Sequence, residues 1–344
     1  MSNKEFAIAG VSFPVTDLKQ LVSTIPDESL REEILTNAES LVPKDINYVT
    51  EADNSKDPVR TVIGAAKLKK HLLLEGPKGA GKTTAVYKAA QETNNPLVSI
   101  QFTGHTGVDT LLGKWLLKDG KTYWQDGLFT TACRYGYWVV LDEINMALPE
   151  VTAALHSALD DRRVLILDEK DGEVINIHPN TRIFAAINPS EDYAGTKEMN
   201  AALIDRFGMK LFTSYPKMQK EIDIIKGNKY VSIDDSKQAR SKEGFITRIV
   251  KVGHQIRNTE DKSFRGRVTI SSRELINWAA ACALYPALEA FELTVSNKTE
   301  WSDNKTRDFL MKCAQIEFKP DDKWEPVSGP ATAPVVATDS IVNI

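Results

Sequence analysis

The feature that most constrains this chain is a short apolar run, His71-Leu-Leu-Leu-Glu75, which opens into Gly76-Pro-Lys-Gly-Ala-Gly81-Lys82-Thr83 and then into a helical segment, Thr83 to Thr93. Strand, glycine turn and helix in that order make a phosphate-binding loop. Glycines let the backbone curl so that successive N–H groups converge on one anion, and the helix N-terminus adds a positive dipole end. Lys82 is placed to reach the β- and γ-phosphates, and Thr83 to offer its hydroxyl to Mg²⁺. Gly76, Pro77, Lys78, Gly79, Ala80, Gly81, Lys82, Thr83 and Thr84 form the expected nucleotide-binding set, with ATP and Mg²⁺ as cofactors.

Further strand-like runs follow at Leu97–Phe102, Tyr137–Leu141, Arg182–Ile187 and Met209–Thr213, most of them separated by helical segments. Continuous apolar strands alternating with helices predict an α/β fold: a parallel five-stranded sheet covered on both faces. Two segments interrupt the alternation. Leu111–Phe129 holds a Lys118-Asp-Gly-Lys121 turn, and Val164–Ile177 places β-rich arms around an Asp-Gly turn, the signature of a hairpin. Such additions serve partners or substrates, since the sheet does not need them.

Before the loop, Phe6–Val15 reads as a strand and loop. Asp17–Val42 has helical periodicity broken at Pro26, and Pro43–Pro58 is a polar connector. After Pro216 the pattern is all-helical, best at Phe245–Ile256, Ser272–Tyr285 and Thr306–Phe318, with Ser271 and Ser272 suited to an N-cap. The expected organisation is an N-terminal extension (1–60), an α/β nucleotide-binding core (61–215), a helical lid (216–320) and a mobile tail (321–344).

The run Trp138-Val-Val-Leu-Asp142-Glu143 ends in two acids. At the carboxyl end of a parallel strand such side chains face the ligand crevice. Asp142 is the candidate Mg²⁺ holder beside Thr83, and Glu143 the group that polarises the attacking water. Asn188, closing the run Arg182–Asn188, either orients the same water or caps the turn before Pro189. Phosphoryl transfer also needs positive charge, for which Arg162, Arg163, Arg206 and Arg273 are candidates.

Composition narrows the partners. Net charge is −4, with no basic excess of the kind that coats nucleic-acid binders, which argues against a nucleic-acid partner. The three cysteines, Cys133, Cys282 and Cys313, lack metal or disulfide spacing and read as reduced buried thiols. No run approaches the roughly 18 apolar residues of a membrane span, and Phe6–Val15 lacks the features of a signal peptide. The chain is therefore expected to be cytoplasmic.

Taken in order, Gly76–Thr83, Val139–Glu143, Ile187-Asn188-Pro189 and Met199-Asn-Ala-Ala-Leu-Ile-Asp205-Arg206-Phe207 resemble the AAA+ ATPases. Leu112-Gly113-Lys114, Asp126-Gly127-Leu128-Phe129, Leu141-Asp-Glu-Ile-Asn145 and Tyr193-Ala-Gly195 are similar to the MoxR-type group, which includes CbbQ/NorQ activators, the CobS-like cobaltochelatase subunit and dynein-related ATPases. Val42-Pro43 to Asn47-Tyr48-Val49 is also similar to the cobaltochelatase subunit. The resemblance implies a hexameric ring with nucleotide between subunits. It makes Asn188 sensor 1, Arg206 the arginine finger reaching a neighbour's γ-phosphate and Arg273 sensor 2 on the lid. It makes Leu111–Phe129 the helix-2 insert and Val164–Ile177 the hairpin before sensor 1. It further implies a separate partner bearing a von Willebrand A domain. The function so implied is ATP-driven remodelling of a client protein or assistance to metal-cofactor insertion. A chelatase motor subunit, a nucleic-acid translocase or restriction-type motor, and a non-hydrolysing scaffold stand as alternatives.

Overall fold

The computed structural model describes residues 5–8, 11–50, 56–188, 199–231, 244–264, 268–300 and 302–323. Tyr193–Gly195 and nearly all of the expected tail lie outside them. The frame is a five-stranded parallel sheet of β3 (Leu72–Glu75), β4 (Leu97–Gln101), β7 (Trp138–Asp142), β10 (Ile183–Ile187) and β11 (Met209–Phe212), in the order β11-β3-β10-β7-β4. Alternate residues go to opposite faces, and both faces are buried. Leu73, Val139, Leu141, Ile183 and Ala185 enter one core cluster, while Leu72, Leu74, Val140 and Phe184 enter another. Burying each Leu or Val side chain contributes about 1.5–3 kcal/mol, which is why these strands read as unbroken apolar runs.

The chain ahead of the loop is part of this core. β1 (Glu5–Ile8) and β2 (Val11–Pro14) form an antiparallel pair where the sequence suggested one strand and a loop. The periodic stretch splits at Pro26 into α1 (Leu18–Leu21) and α2 (Glu28–Leu41). Leu18, Leu21, Ile34 and Ala38 from these helices pack in the cluster that contains Leu73. The drawn boundary at residue 60 falls inside α3 (Pro58–Lys67), which covers the opposite face through Val59, Val62 and Ile63. Its start is chemically marked: Asp57 accepts hydrogen bonds from the N–H groups of Val59 and Arg60, and Pro58 fills the first helical position.

Both interrupting segments are hairpins. β5 (Gly113–Lys118) pairs with β6 (Lys121–Asp126), and β8 (Val164–Leu167) with β9 (Glu173–Asn176). Asp119 and Gly120 sit at φ 53° and 74°, and Asp171 and Gly172 at 53° and 71°. In the two-residue turn of β5–β6 this is the left-handed pair that tight hairpins demand, whereas in β8–β9 the pair ends a five-residue loop, Asp168–Gly172. The two hairpins are tied together: Trp115 Nε1 donates to the Glu169 carbonyl at 2.9 Å. Arg134 on α6 (Leu128–Tyr135) bridges Asp126 at 2.6 Å and Glu173 at 2.8 Å.

The lid comprises α9 (Met218–Lys226), α10 (Phe245–Arg257), α11 (Ser272–Ala281), α12 (Ala287–Thr294) and α13 (Asn304–Glu317), around Trp278, Phe245, Phe291 and Phe318. Ser271 and Glu274 form a reciprocal capping box at the start of α11. The helix expected over Ser272–Tyr285 stops at Ala281, because Pro286 disfavours helical backbone just before it and instead caps α12. Among the described residues no helix is long and apolar enough to cross a membrane.

Candidate active site

Parallel strands bring their carboxyl ends to one edge, and three of these ends carry the predicted site. β3 runs into the glycine loop, β7 ends at Asp142, and β10 ends one residue before Asn188. Register places Ala186 beside Asp142 and Ile187 beside Glu75, so loop, acids and amide occupy one row. Gly79 and Gly81 adopt φ of 73° and 83°, a conformation that costs L-residues about 1 kcal/mol or more. Gly81 starts α4 (Lys82–Glu92).

Lys82 is buried and fully engaged. Its ammonium donates to the carbonyls of Gly76 at 2.7 Å and Pro77 at 2.9 Å, and to Asn188 Oδ1 at 2.9 Å. Burial lowers its pKa to about 8, while the Asp142 and Glu143 carboxylates pull the other way. Thr83 Oγ1 donates to Asp142 Oδ2 at 2.9 Å. These are hard oxygen donors, few in number. They fit Mg²⁺, which takes one or two protein oxygens and completes its shell with phosphate and water.

Glu143 follows at φ 56°, a left-handed conformation unusual for a glutamate and a common mark of functional positions. Asn188 is buried and spans the centre: beyond accepting from Lys82, its Nδ2 donates to Glu143 Oε1 at 3.4 Å. The amide thus bridges the loop lysine and the candidate water-polarising acid. Asn145, on the short 3-10 turn Ile144–Met146, is buried and donates to the Asn188 carbonyl at 3.2 Å, which pins that residue from behind.

The arginines separate by position. Arg163 is a structural group: it donates to the carbonyls of His178 and Thr181. Arg162 pairs with Asp160 in solvent at 3.0 Å. Arg206 follows α8 (Ala201–Asp205) and donates to the Ala202 carbonyl at 2.6 Å. Its charge lowers the pKa of His156 on α7 (Pro149–Leu159), an effect second to burial of that ring. Neither partner belongs to the glycine loop or the acidic strand end. Arg273 is exposed on the first turn of α11, whose N-cap Ser271 lies against Gly79.

Sequence reasoning missed two participants. Asn145 lay inside the Leu141–Asn145 run but carried no assigned role. Tyr215, between β11 and the lid, donates its hydroxyl to the Lys78 carbonyl at 3.0 Å, a contact spanning 137 positions that no local pattern announces.

Residues 71–207 match the family model of an AAA domain of the dynein-related subfamily. Over 141 residues the chain is 41% identical to midasin of Dictyostelium discoideum, covering 40% of this chain and 2% of that protein. It is 35% identical to protein CbbQ of Hydrogenophilus thermoluteolus over 45% of this chain and 57% of that one. It is 27% identical to an uncharacterized protein of Staphylococcus saprophyticus, covering 79% of this chain and 98% of that one. The chain thus spans a small part of midasin and little more than half of CbbQ. Residues 71–207, which hold four strands of the parallel sheet and the assembled site, are thus similar to an AAA domain of the dynein-related subfamily.

Proposed function

We propose that the chain is a subunit of a ring-forming, MoxR-type ATPase motor, in which each nucleotide site is finished by a neighbouring copy. One observation carries this reading. The chain's own site joins Lys82, Asn188, Glu143, Asp142 and Thr83, while the arginine that follows α8, Arg206, is engaged elsewhere. Phosphoryl transfer needs a cation at the γ-phosphate, so Arg206 serves the site of the next subunit. The glycine loop Gly76–Thr83 and Thr84 hold the triphosphate, with Arg273 reaching it from the lid. Thr83 and Asp142 would hold Mg²⁺, which when bound would neutralise charge at the phosphates. Glu143 accepts a proton from the attacking water, and Asn188 keeps that carboxylate beside the Lys82 ammonium.

The two tied hairpins stand outside the sheet and expose Trp115, Leu117, Tyr123, Ile166 and Val174. They are the parts through which hydrolysis acts on a client, directly or through a separate partner with a von Willebrand A domain. The deciding experiment is Glu143→Gln. Phosphate release should fall at least about 100-fold while ATP binding, followed by calorimetry, is retained. Hydrolysis at the parent rate would remove Glu143 from the chemistry.

A further inference from the structure

The lid rests directly on the phosphate loop. A side chain at Gly79 would come within 2.5 Å of Ser271 Cβ. Beside this contact, Tyr215 Oη donates to the Lys78 carbonyl at 3.0 Å and lies 3.5 Å from Thr269 Oγ1. The Tyr215 ring is itself held: the Arg257 guanidinium stacks 4.1 Å from its centroid. Arg257 cannot swing away, because it donates to both oxygens of the fully buried Glu221 at 2.8 Å and to the Ile270 carbonyl at 2.6 Å. Glu221 also accepts from Ser272, the first residue of α11. A continuous polar path therefore runs from the lid helices through Arg257 and Tyr215 to one peptide of the phosphate loop.

That peptide is the informative one. Among the described residues no peptide bond is cis, so the Lys78 carbonyl and the Gly79 N–H point in opposite directions in one plane. Fixing the carbonyl toward Tyr215 fixes the Gly79 N–H away from it. With φ at 73° Gly79 is free to adopt several other orientations, so an unrestrained peptide here would flip readily. A donor held in place before the anion arrives avoids the ordering cost that a mobile loop incurs on binding. The geometry points to Tyr215 as a positioning residue, clamped by Arg257 and Glu221 of the lid, that presets the Gly79 N–H as a phosphate donor and so links lid placement to nucleotide affinity. This rests on the reading of Gly76–Thr83 as an ATP site.

The test is Tyr215→Phe in the full chain. It keeps the ring under Arg257 and removes only the hydroxyl. The hydrogen bond lost from the phosphate loop is the one to the Lys78 carbonyl, the 3.5 Å contact with Thr269 lying within the lid, and losing one such neutral bond corresponds to about fivefold in an equilibrium constant. ATP and ADP dissociation constants and the KM for ATP should each rise by about that factor, with kcat within about twofold and the melting temperature within about 2 °C. Arg257→Lys, which keeps the charge but loses the plane, should raise KM similarly, and the double variant should add little to either. Unchanged affinity in Tyr215→Phe overturns the assignment, as does a fall in kcat together with melting temperature at constant KM, the pattern of lost lid packing. Fully additive effects in the double variant overturn the Arg257 relay. If the parent chain binds no ATP, the ATP-site reading fails and this assignment with it; parent binding with an indifferent Tyr215→Phe sinks this assignment alone.

Discussion

Thr83 Oγ1 and Asp142 Oδ2 lie 2.9 Å apart, which joins the first turn of α4 to the end of β7 through two groups suited to a hard cation. Asp142→Asn keeps the shape and removes the charge. The Mg²⁺ concentration for half-maximal ATPase should rise about tenfold or more, and chelation with EDTA should silence the parent. A Mg²⁺ titration curve identical to the parent's would remove Asp142 from the metal site.

The arrangement around Arg206 predicts a signature in mixtures. On the proposed ring reading, Arg206→Ala leaves the chain's own Lys82–Asn188–Glu143 contacts untouched and removes the cation proposed for the neighbour's site. Titrated into parent protein at constant total subunit, it should lower ATPase more steeply than the fraction added, and alone it should be about 1,000-fold slower. A straight-line loss with mole fraction would show that each subunit completes its own site.

Lys82 gives a pH dependence. Burial sets its pKa near 8, below the ordinary lysine value, so raising pH through 8 discharges the free site. Affinity for the anionic triphosphate should weaken over that interval, seen as a rising KM between pH 7 and pH 9.5. The sign for stability is opposite. Between about 8 and the unfolded value the unfolded chain holds the extra proton, so Lys82 by itself makes the fold more stable as pH rises. A KM that is flat across this range would contradict the buried-ammonium assignment.

His71 gives a second pH dependence, in stability. Its Nδ1 accepts from the Ile183 N–H at 3.1 Å, so the ring is neutral. Burial first, then the charges of Arg163 and Arg182, lower its pKa to about 4. The contribution is complete above the unfolded value near 6.5 and is lost as pH falls towards 4. Linkage gives a loss of about 2 kcal/mol by pH 5. Chemical denaturation at pH 7 and pH 5 should show this difference in the parent and a smaller one in His71→Gln; equal slopes in both proteins would count against it.

The sheet was legible because its strands are buried on both faces, so each appears as an unbroken apolar run. The Asp-Gly turns and the Ser271 cap were equally readable, since each is set by local backbone chemistry. The helix Pro58–Lys67 was missed although its signal was present: Asp57 and Pro58 at the start, then Val59, Val62 and Ile63 at helical spacing. Its polar connector setting hid it. Within the site, Lys82, Thr83, Asp142, Glu143 and Asn188 could be named from strand ends and loop. What could not be read were the bonds of Asn145 and Tyr215, which join elements far apart in the chain, nor the two-way bridging by Asn188.

Arg134 holds Asp126 at the base of one hairpin and Glu173 on the other, while Trp115 reaches across to Glu169. With anchors at both the root and the arm, the pair has lost the freedom of two separate fingers. Any displacement of α6 would therefore carry both pairs together, as one body.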